Sequence, residues 1–357
     1  MLVKSHGFII WVRHTTYLSF VTLVASLLLL VVACGAPEKV PTASAPAEPA
    51  AAEPNVTETT ITEPNVTEPA ATEPTSLIDD VTDGKAFIWK ITSDNSEIYL
   101  LGSVHAANPD IYPLDTTIEQ AFALADNLVV EVDITQVDPT YTAQLLFEYG
   151  TYPSGNTLKD NIPEDIYIQL EENLGRMGVN IITLDMFRPW VFTTIIEEIQ
   201  IQETGYSTEY GIDLHFIEKT WEDDKPVIEL ETAEYQIELI SSLSDELMIL
   251  IIEDSLDNPA TKEDMDMLFQ AWRNGDVTEF ESITFKAFVD NPELEPFLER
   301  MFYERNYNMA EKIEEFLADE GIYFIVVGAG HLVGDEGLIN LLSKRGYETV
   351  QLTKQGK

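Results

Sequence analysis

The segment Ile322–Gly334 (IYFIVVGAGHLVG) constrains the fold most, because it is an apolar run that ends in a histidine set between glycines. Tyr323–Val327 is β-branched and aromatic, too short for a helix and bounded by glycines, which is typical of a buried strand. Glycines at 328 and 330 allow a tight turn, and residues 335–344 are predicted to form the next helix. We therefore expect His331 at the C-terminal end of a buried strand, where open α/β sheets bind ligands.

The same arrangement occurs once more in the chain. Glu97–Leu101 has the pattern of a strand, and Gly102-Ser103-Val104-His105 follows it directly. Two of the five histidines thus lie three residues after a glycine that ends a predicted strand. We take His105 and His331 as the centre of the predicted site.

The N-terminus predicts export from the cytoplasm. Lys4 and Arg13 precede the apolar run Tyr17–Ala33, so residues 1–33 have the pattern of a secretory signal. The residues before Cys34 resemble a bacterial lipobox, in which this cysteine is acylated. The alternative is an uncut membrane anchor, since about 17 apolar residues lie at the lower limit for a span. Cys34 is the only cysteine, which excludes a disulfide-built fold.

Composition divides the rest of the chain. Residues 34–78 are rich in Pro, Thr, Glu and Ala and are predicted to form a disordered linker, so the globular domain is predicted over residues 79–357. The chain has a net charge of −43, which argues against nucleic acid and anionic lipid headgroups as partners. Such a surface would attract divalent cations or basic peptides; alternatively, it serves solubility alone.

The predicted elements indicate an α/β or α+β fold with a central mixed sheet. Residues 86–91 and 97–101 flank a turn and should form a hairpin. Residues 232–321 have a helical pattern throughout, which predicts flanking helices and a large helical insertion. Three further stretches are predicted as strands, and they comprise residues 128–134, 227–230 and 347–352.

Four functional side chains lie in or after predicted strands, and they are His105, Glu131, Glu231 and His331. If these strands share one sheet and run in the same direction, the side chains converge at one edge. Two imidazoles with one or two carboxylates suit a divalent transition metal that keeps a position open for water. Alternatively, the histidines are isolated in loops, Glu131 pairs with a structural arginine, and Glu231 caps the following helix.

Arg305 is the candidate partner of these acids. It lies on the apolar stripe of a predicted helix over residues 297–319, together with Met301, Met309, Ile313 and Phe316. An arginine on a buried face needs an anionic partner. Arg305 therefore either pairs with Glu131 or Asp133, or it orients a carbonyl or carboxylate of a substrate. The same two alternatives apply to Arg188.

Eight segments occur in the order found in the TraB/GumN family, which includes the animal Tiki proteins, and the chain resembles that family over residues 86–353. The two Gly-x-x-His motifs are the hallmark of the family, and the first has Ser103 where threonine is commoner. The segments are FIWKI (87–91), YLLGSVH (99–105), YPL (112–114), VEVD (130–133), GID (211–213), LET (230–232), ERN (304–306) and GAGHLVG (328–334).

The resemblance implies a single domain with an unusual α/β fold, shared in outline with erythromycin-esterase-like and ChaN-like proteins. For the Tiki branch it implies a metal-dependent protease in which His105, His331 and Glu131 are essential. Manganese or cobalt is the metal it implies, and two imidazoles with a carboxylate also suit zinc. Arg305 matches a family position and completes the candidate catalytic set.

The sequence thus predicts a lipid-anchored, extracytoplasmic, metal-dependent hydrolase, a metallopeptidase by resemblance, that acts on a peptide or protein. In that reading Glu131 is either the third metal ligand or the general base. The alternative is a non-catalytic envelope lipoprotein that binds haem, a metal or a peptide in the same pocket. The sequence indicates neither a particular substrate nor an oligomeric state.

Overall fold

The structure, a computed structural model, describes residues 84–355. The predicted signal peptide and the whole predicted linker, including Cys34, therefore lie outside the described residues, as do residues 79–83 and 356–357 of the predicted domain. Within the described range no helix is long and apolar enough to span a bilayer.

A six-stranded mixed sheet is at the centre of the described residues. Its order is β4-β3-β5-β2-β1-β6, and the first four strands of that order are parallel. β1 is antiparallel to both of its neighbours. The strands are β1 (Lys85–Thr92), β2 (Ser96–Ser103), β3 (Asn127–Val130), β4 (Val227–Glu229), β5 (Gly321–Gly328) and β6 (Thr349–Thr353).

Helices fill the long connections between the parallel strands. A π-helical turn, Glu299–Tyr303, joins the helix that ends at Leu298 to the helix that begins at Glu304. The α-helices of the described residues are α1 (Thr116–Leu124), α2 (Pro139–Gly150), α3 (Leu158–Asn161), α4 (Glu164–Arg176), α5 (Pro189–Thr204), α6 (Ile212–Asp223), α7 (Ala233–Ser241), α8 (Asp245–Asp257), α9 (Lys262–Asn274), α10 (Val277–Thr284), α11 (Lys286–Asp290), α12 (Glu295–Leu298), α13 (Glu304–Ala318) and α14 (Leu338–Lys344).

The predicted hairpin is confirmed and is closed by Ser93. Its Oγ accepts hydrogen bonds from the backbone N–H groups of Asn95, at 3.2 Å, and Ser96, at 3.0 Å. A serine hydroxyl that bonds its own turn in this way stabilises the reversal of the chain. The same hydroxyl donates to Leu317 O at 2.7 Å, which attaches the hairpin to the end of α13.

Two hydrophobic cores lie side by side. The sheet core covers both faces of the sheet and includes Leu100, Phe324 and Val326, all fully buried. The helical core is built by residues of α2–α5, α7, α8 and the helices from 286 to 302, and includes Trp190 and Phe192. Each side chain buried to this degree contributes about 1.5–3 kcal/mol to folding. The helical insertion predicted over residues 232–321 is divided between the two cores: α7, α8 and the helices from 286 to 302 belong to the helical core, and α9, α10 and α13 belong to the sheet core.

Two predicted elements differ from the structure. The strand expected over residues 128–134 ends at Val130, because Glu131 turns its carboxylate toward β5 and accepts a hydrogen bond from Gly328 N at 2.6 Å. The helix expected from residue 335 begins at Leu338, after a 3-10 turn over Ala329–His331 and a turn at Gly334, whose φ is +87°. Both differences lie at the sheet edge that carries the predicted site.

Candidate functional site

The predicted site residues meet at the C-terminal edge of the parallel strands. Ser103 pairs with Gly328 across β2 and β5, and Val130 pairs with Val326 across β3 and β5. The backbone N–H of Glu231 donates to Glu131 O at 2.8 Å, which extends the pairing of β3 and β4. The condition on which the predicted site depends, that these strands share one sheet and run in the same direction, is therefore met.

The two Gly-x-x-His motifs pack directly against each other. A Cβ atom at Gly102 would lie 2.6 Å from Leu332 Cδ1 and 3.0 Å from Ala329 Cα, both within the second motif. Only glycine allows this approach without displacing the neighbouring backbone. The indole N–H of Trp272 donates to Gly102 O at 2.7 Å and holds the first motif from the other side.

His105 is oriented by an acid from α6. Its Nδ1 lies 2.7 Å from Asp213 Oδ2, and Ser103 Oγ donates to Asp213 Oδ1 at 2.7 Å. Ile212 N donates to Val104 O at 3.1 Å, which attaches the start of α6 to the first motif. A carboxylate accepts only, so Nδ1 carries the proton and Nε2 is directed away from Asp213.

His331 is oriented by an amide from α13. Its Nδ1 lies 2.6 Å from Asn306 Oδ1, and Asn306 Nδ2 donates to Glu336 O at 2.8 Å. The carbonyl acceptor at Glu336 fixes which end of the amide faces the ring, so the histidine Nδ1 is the donor. The ring is fully buried and stacks near Phe302, with 5.1 Å between ring centroids.

The pKa values of the two histidines move in opposite directions. Burial lowers the pKa of His105, but the charge and hydrogen bond of Asp213 outweigh burial and raise the pKa above its ordinary value. Burial and the Arg305 cation hold the pKa of His331 well below its ordinary value. His331 is therefore neutral, whereas His105 holds a proton more readily.

Glu131 lies between the second histidine and a buried arginine. Its Oε1 accepts from Gly328 N at 2.6 Å and lies 3.9 Å from His331 Nε2. Its Oε2 accepts a hydrogen bond from Arg305 Nη2. Oε1 thus lies near His331, and Oε2 is held by the Arg305 cation.

Arg305 forms a buried ion-pair network. Its side chain is 1% exposed, and Nε and Nη2 donate to Glu231 at 2.8–3.1 Å, while Nη2 also pairs with Glu131. Burial lowers the pKa of Arg305, but the two acids outweigh it and raise that pKa. The predicted pairing with Glu131 is confirmed, whereas the alternative pairing with Asp133 is wrong, because Asp133 Oδ1 instead accepts from Thr135.

Two other sequence alternatives are now decided. Glu231 does not cap the helix after it, because Thr232 Oγ1 makes that bond and Glu231 is held by Arg305 and Gln236. Arg188 pairs with Asp245 Oδ1 at 2.8 Å, beside the helical core, and so has the structural partner of its two predicted alternatives.

A divalent metal ion fits the residues at this edge in part. Among residues 84–355 no three His, Cys, Asp or Glu side chains form a ready-made metal cluster. However, His105 Nε2 and His331 Nε2 are both buried without a hydrogen-bond partner. Metal-ligating histidines typically have the other ring nitrogen bonded to an oxygen acceptor, as both do here. The chain offers two imidazole ligands and, from Glu131 Oε1, one carboxylate oxygen.

A cavity of about 30 Å³ opens beside His105. Its lining includes Ser103, His105 and Thr284, together with Ala329 and Gly330 of the second motif. Four apolar side chains complete it from α9 and α10, and they are Met265, Leu268, Phe269 and Phe280. A small group that enters this cavity therefore comes into contact with the first histidine motif.

Sequence reasoning missed the residues that orient the histidines. Asp213 and Asn306 lie in segments that carried the family resemblance, but no role was assigned to either. Both partners come from helices more than 20 residues away from their histidines in the chain. Asn306 directly follows Arg305, and a polar pair on an otherwise apolar helix face was the one available signal.

The fold and site define an α/β protein in which two histidines, a glutamate and a buried arginine meet at the carboxyl edge of parallel strands. A sequence profile of the TraB/PrgY/gumN family matches residues 87–351, and the chain belongs to this family. The predicted resemblance is therefore confirmed.

Three relatives illustrate the range of similarity. The uncharacterized protein YbaP of Escherichia coli is 26% identical over 254 residues, which cover 70% of this chain and 88% of YbaP. Metalloprotease TIKI1 of Homo sapiens is 23% identical over 319 residues, covering 74% of this chain and 61% of that protein. Metalloprotease TIKI2 of Xenopus tropicalis is 23% identical, and the match covers 61% of its length. No solved structure matches, so the likeness to erythromycin-esterase-like and ChaN-like folds stays a prediction.

Proposed function

We propose that this protein is a metal-dependent hydrolase of the metallopeptidase class. His105 and His331 would hold a divalent ion through Nε2, and Glu131 would be its third ligand or the general base for the attacking water. A divalent ion held by these residues would lower the pKa of a bound water and would polarise a substrate carbonyl. The proposal includes a peptide or protein as substrate, since the TIKI relatives are named metalloproteases.

The observation that carries the proposal is the pair of orphaned nitrogens. Both Nε2 atoms are buried without partners, and burying a polar atom unpaired costs about 1–3 kcal/mol. His215 Nε2 on α6 is also unpaired, so the feature that distinguishes His105 and His331 is that their two motifs pack directly against each other at one sheet edge. A shared ligand would satisfy both of them.

The chain's own residues divide the remaining work. Asp213 and Asn306 hold the two rings in one tautomer, so that both Nε2 lone pairs are available. Arg305 is almost fully buried and binds Oε2 of Glu131, so a positioning role is better supported than direct contact with substrate. Its assignment to the catalytic set stays a prediction.

A metal analysis of the purified protein, followed by peptide-library cleavage with and without chelator, tests the proposal. Wild type should bind a stoichiometric divalent ion, with manganese, cobalt and zinc as the candidates, and cleave peptides only with that ion. His105→Ala and His331→Ala should lose both properties. His215→Ala is the matched control, because His215 lies on α6 near Glu119, at 3.6 Å, and outside the two motifs. Full cleavage by both histidine variants would sink the proposal.

Glu131→Gln separates the two roles of the glutamate. The amide oxygen can accept from Gly328 N, and Arg305 loses its bond to Oε2 but keeps its bonds to Glu231, so thermal unfolding of the variant is measured alongside. A lost ligand lowers metal occupancy, whereas a lost base leaves the metal bound and slows turnover by about 10²–10⁴-fold.

The alternative of a binding lipoprotein is favoured by one observation, the cavity beside His105, which can hold a ligand whether or not hydrolysis follows. Metal binding without hydrolysis of any peptide would support that alternative. The 30 Å³ cavity beside His105 is far too small for haem, so a metal ion, or a peptide that places one small side chain in the cavity, is the ligand that we would then propose.

Attachment to the cell envelope through a lipidated Cys34 is also part of the proposal. The apolar run before Cys34 and the linker after it support this localisation. Cys34→Ala should release the protein from membranes or leave the precursor uncut. A mature N-terminus elsewhere, with Cys34 unmodified by mass spectrometry, would contradict it.

A further inference from the structure

A second cavity, of about 250 Å³, opens between the start of β1, residues 110–118, the last turn of α9 and the segment after β6. It shares no lining residue with the cavity beside His105. Its apolar lining is buried and includes Phe87, Leu114 and Trp272. Its charged lining is half-buried or exposed and consists of Asp110, Asp115, Arg273 and Lys354. The cavity is therefore apolar at depth and charged where it meets solvent.

The four charged side chains do not neutralise one another. Arg273 Nη2 donates to the backbone oxygen of Asp110 at 2.6 Å, and Lys354 Nζ donates to the backbone oxygen of Arg273. Within residues 84–355 none of the four forms an ion pair, although the chain has 63 acidic and only 20 basic residues. A guanidinium has five N–H donors and an ammonium three, so both cations keep donors for a ligand.

The charges also act on the same space. Burial lowers the pKa of Lys354, the negative charge of Asp115 opposes this shift, and the Arg273 cation adds to it. Two positive and two negative charges line the cavity, so a ligand that carries one sign alone is attracted by one pair and repelled by the other. A ligand that carries both signs can satisfy both pairs.

We infer that this cavity binds a free α-amino acid with an apolar side chain, such as leucine, in its zwitterionic form. The ligand carboxylate binds Arg273 and Lys354. The ligand ammonium binds Asp110 and Asp115, and the side chain enters the apolar part of the cavity. The volume of about 250 Å³ equals that of about eight liquid waters, which suits a molecule of about ten non-hydrogen atoms. The inference goes beyond the proposed hydrolase, because it requires neither a metal nor cleavage.

Compounds that share one carbon skeleton test the inference. L-Leucine is compared with isocaproate, which lacks the ammonium, and with isopentylamine, which lacks the carboxylate. The indole N–H signal of Trp272 in ¹⁵N NMR of the full chain reports binding, and Trp190, buried in the helical core, is the internal control. Leucine should bind at least about tenfold more tightly than either analogue, the factor that one charge-assisted hydrogen bond gives.

Asp115→Asn tests the negative side of the cavity. The amide oxygen can still accept from Thr117 N and cap α1, while the charge is removed. The advantage of leucine over isocaproate should shrink, and isocaproate itself should bind more tightly because a repulsive charge is gone. Asp276→Asn is the matched control, since Asp276 caps α10 in the same way through Glu279 N and lies outside the cavity lining.

Lys354→Gln tests the positive side. The advantage of leucine over isopentylamine should shrink, and isopentylamine should bind more tightly. Lys225→Gln is the matched control, because Lys225 also bonds a backbone carbonyl, that of Ala125, and does not line the cavity. A purely structural effect of Lys354 would weaken all three probes alike and would contradict the assigned role.

Three results would overturn the inference: equal affinity for leucine and its two analogues, no response of Trp272, or tighter binding of inorganic phosphate than of leucine. The last result would indicate a simple anion site. Failure of peptide cleavage in the metal assay refutes the proposed hydrolase and leaves the amino-acid cavity standing. Cleavage without any binding of leucine refutes the cavity and leaves the hydrolase intact.

Discussion

The two Gly-x-x-His motifs have the same sequence pattern and strand position, yet they present two different histidines. His105 is held by a carboxylate, Asp213, and its side chain remains 15% exposed. His331 is held by an amide, Asn306, and is fully buried. One motif thus places its imidazole beside a negative charge, and the other places it beside the Arg305 cation that lowers its pKa.

The difference shows that the Gly-x-x-His motif sets the position of each histidine, whereas the helix packed against it sets the pKa of the imidazole. Both histidines lie three residues after a strand glycine, because that turn returns the side chain to the sheet edge. Their protonation is decided by α6 for His105 and by α13 for His331. A motif repeated within one sheet can therefore supply one imidazole that readily carries a proton and one that stays neutral.

Replacement of Arg305, the buried partner of both Glu131 and Glu231, should have the largest effect on stability. Arg305→Met keeps an apolar stem but strands Glu131 and Glu231 in the protein interior, and removal of one partner of a buried ion pair costs about 3–5 kcal/mol. Urea unfolding should show that decrease, and the pKa of His331 should rise because the nearby cation is gone. Arg188→Met is the matched control: its pair with Asp245 is about one quarter exposed, so the cost should be about 1 kcal/mol or less. Equal costs for the two variants would contradict the role of Arg305 as the buried centre of the network.

The next effect separates the two histidines by stability. His331→Ala empties a fully buried position beside Phe302 and should cost about 2–5 kcal/mol, the range for truncating large core side chains. His105→Ala should cost about 1–2 kcal/mol, since Asp213 keeps its bond to Ser103 and only one acceptor oxygen loses its partner. Thermal unfolding of both variants measures the difference. A larger loss for His105→Ala would reverse the comparison.

The sequence pattern placed both histidines at strand ends but did not show how deeply each is buried. His331 is fully buried, and the helix that covers it, α13, begins more than 20 residues before it in the chain. Periodicity and glycine spacing located both histidines, Glu131 and Arg305, because these depend on the local pattern. They did not show which carboxylate Arg305 meets. Glu231 is its main partner because β4 lies next to β3, and that strand order is a long-range property of the sheet.

The third prediction exchanges the two orienting partners. Asp213→Asn removes the charge that raises the pKa of His105, so that pKa should fall. Asn306→Asp places a carboxylate on His331 and should raise its pKa, which is now depressed. NMR titration of the imidazole protons in each variant checks both directions. An unchanged pKa of His105 in Asp213→Asn would show that the pair does not control its protonation.

The exchange also predicts the pH dependence of stability. A histidine with a raised pKa stabilises the fold below its unfolded value of about 6.5, and this contribution is lost as pH rises through the folded pKa. Asp213→Asn should therefore destabilise more at pH 5 than at pH 9, by about 1.4 kcal/mol for each pKa unit lost. His331, with a lowered pKa, loses stability as pH falls below about 6.5, and Asn306→Asp should reduce that loss.

The smallest expected effect concerns Ser103, the hydroxyl that holds Asp213 from the strand side. Ser103→Ala leaves Asp213 Oδ1 without that donor while Oδ2 stays bonded to His105, so the free energy of unfolding should fall by about 0.5–1.5 kcal/mol. The pKa of Asp213, which this hydroxyl helps to lower, should rise, but the pKa of His105 should remain above its ordinary value because the charge is still adjacent. Ser103→Thr keeps the hydroxyl, with the residue that is commoner at this position in the family, and is the control. Urea unfolding and imidazole titration measure the two quantities. The contrary result would be that Ser103→Ala lowers the pKa of His105 as far as Asp213→Asn does. In that case the Ser103 hydroxyl, and not the charge of Asp213, would account for the difference between the two motifs.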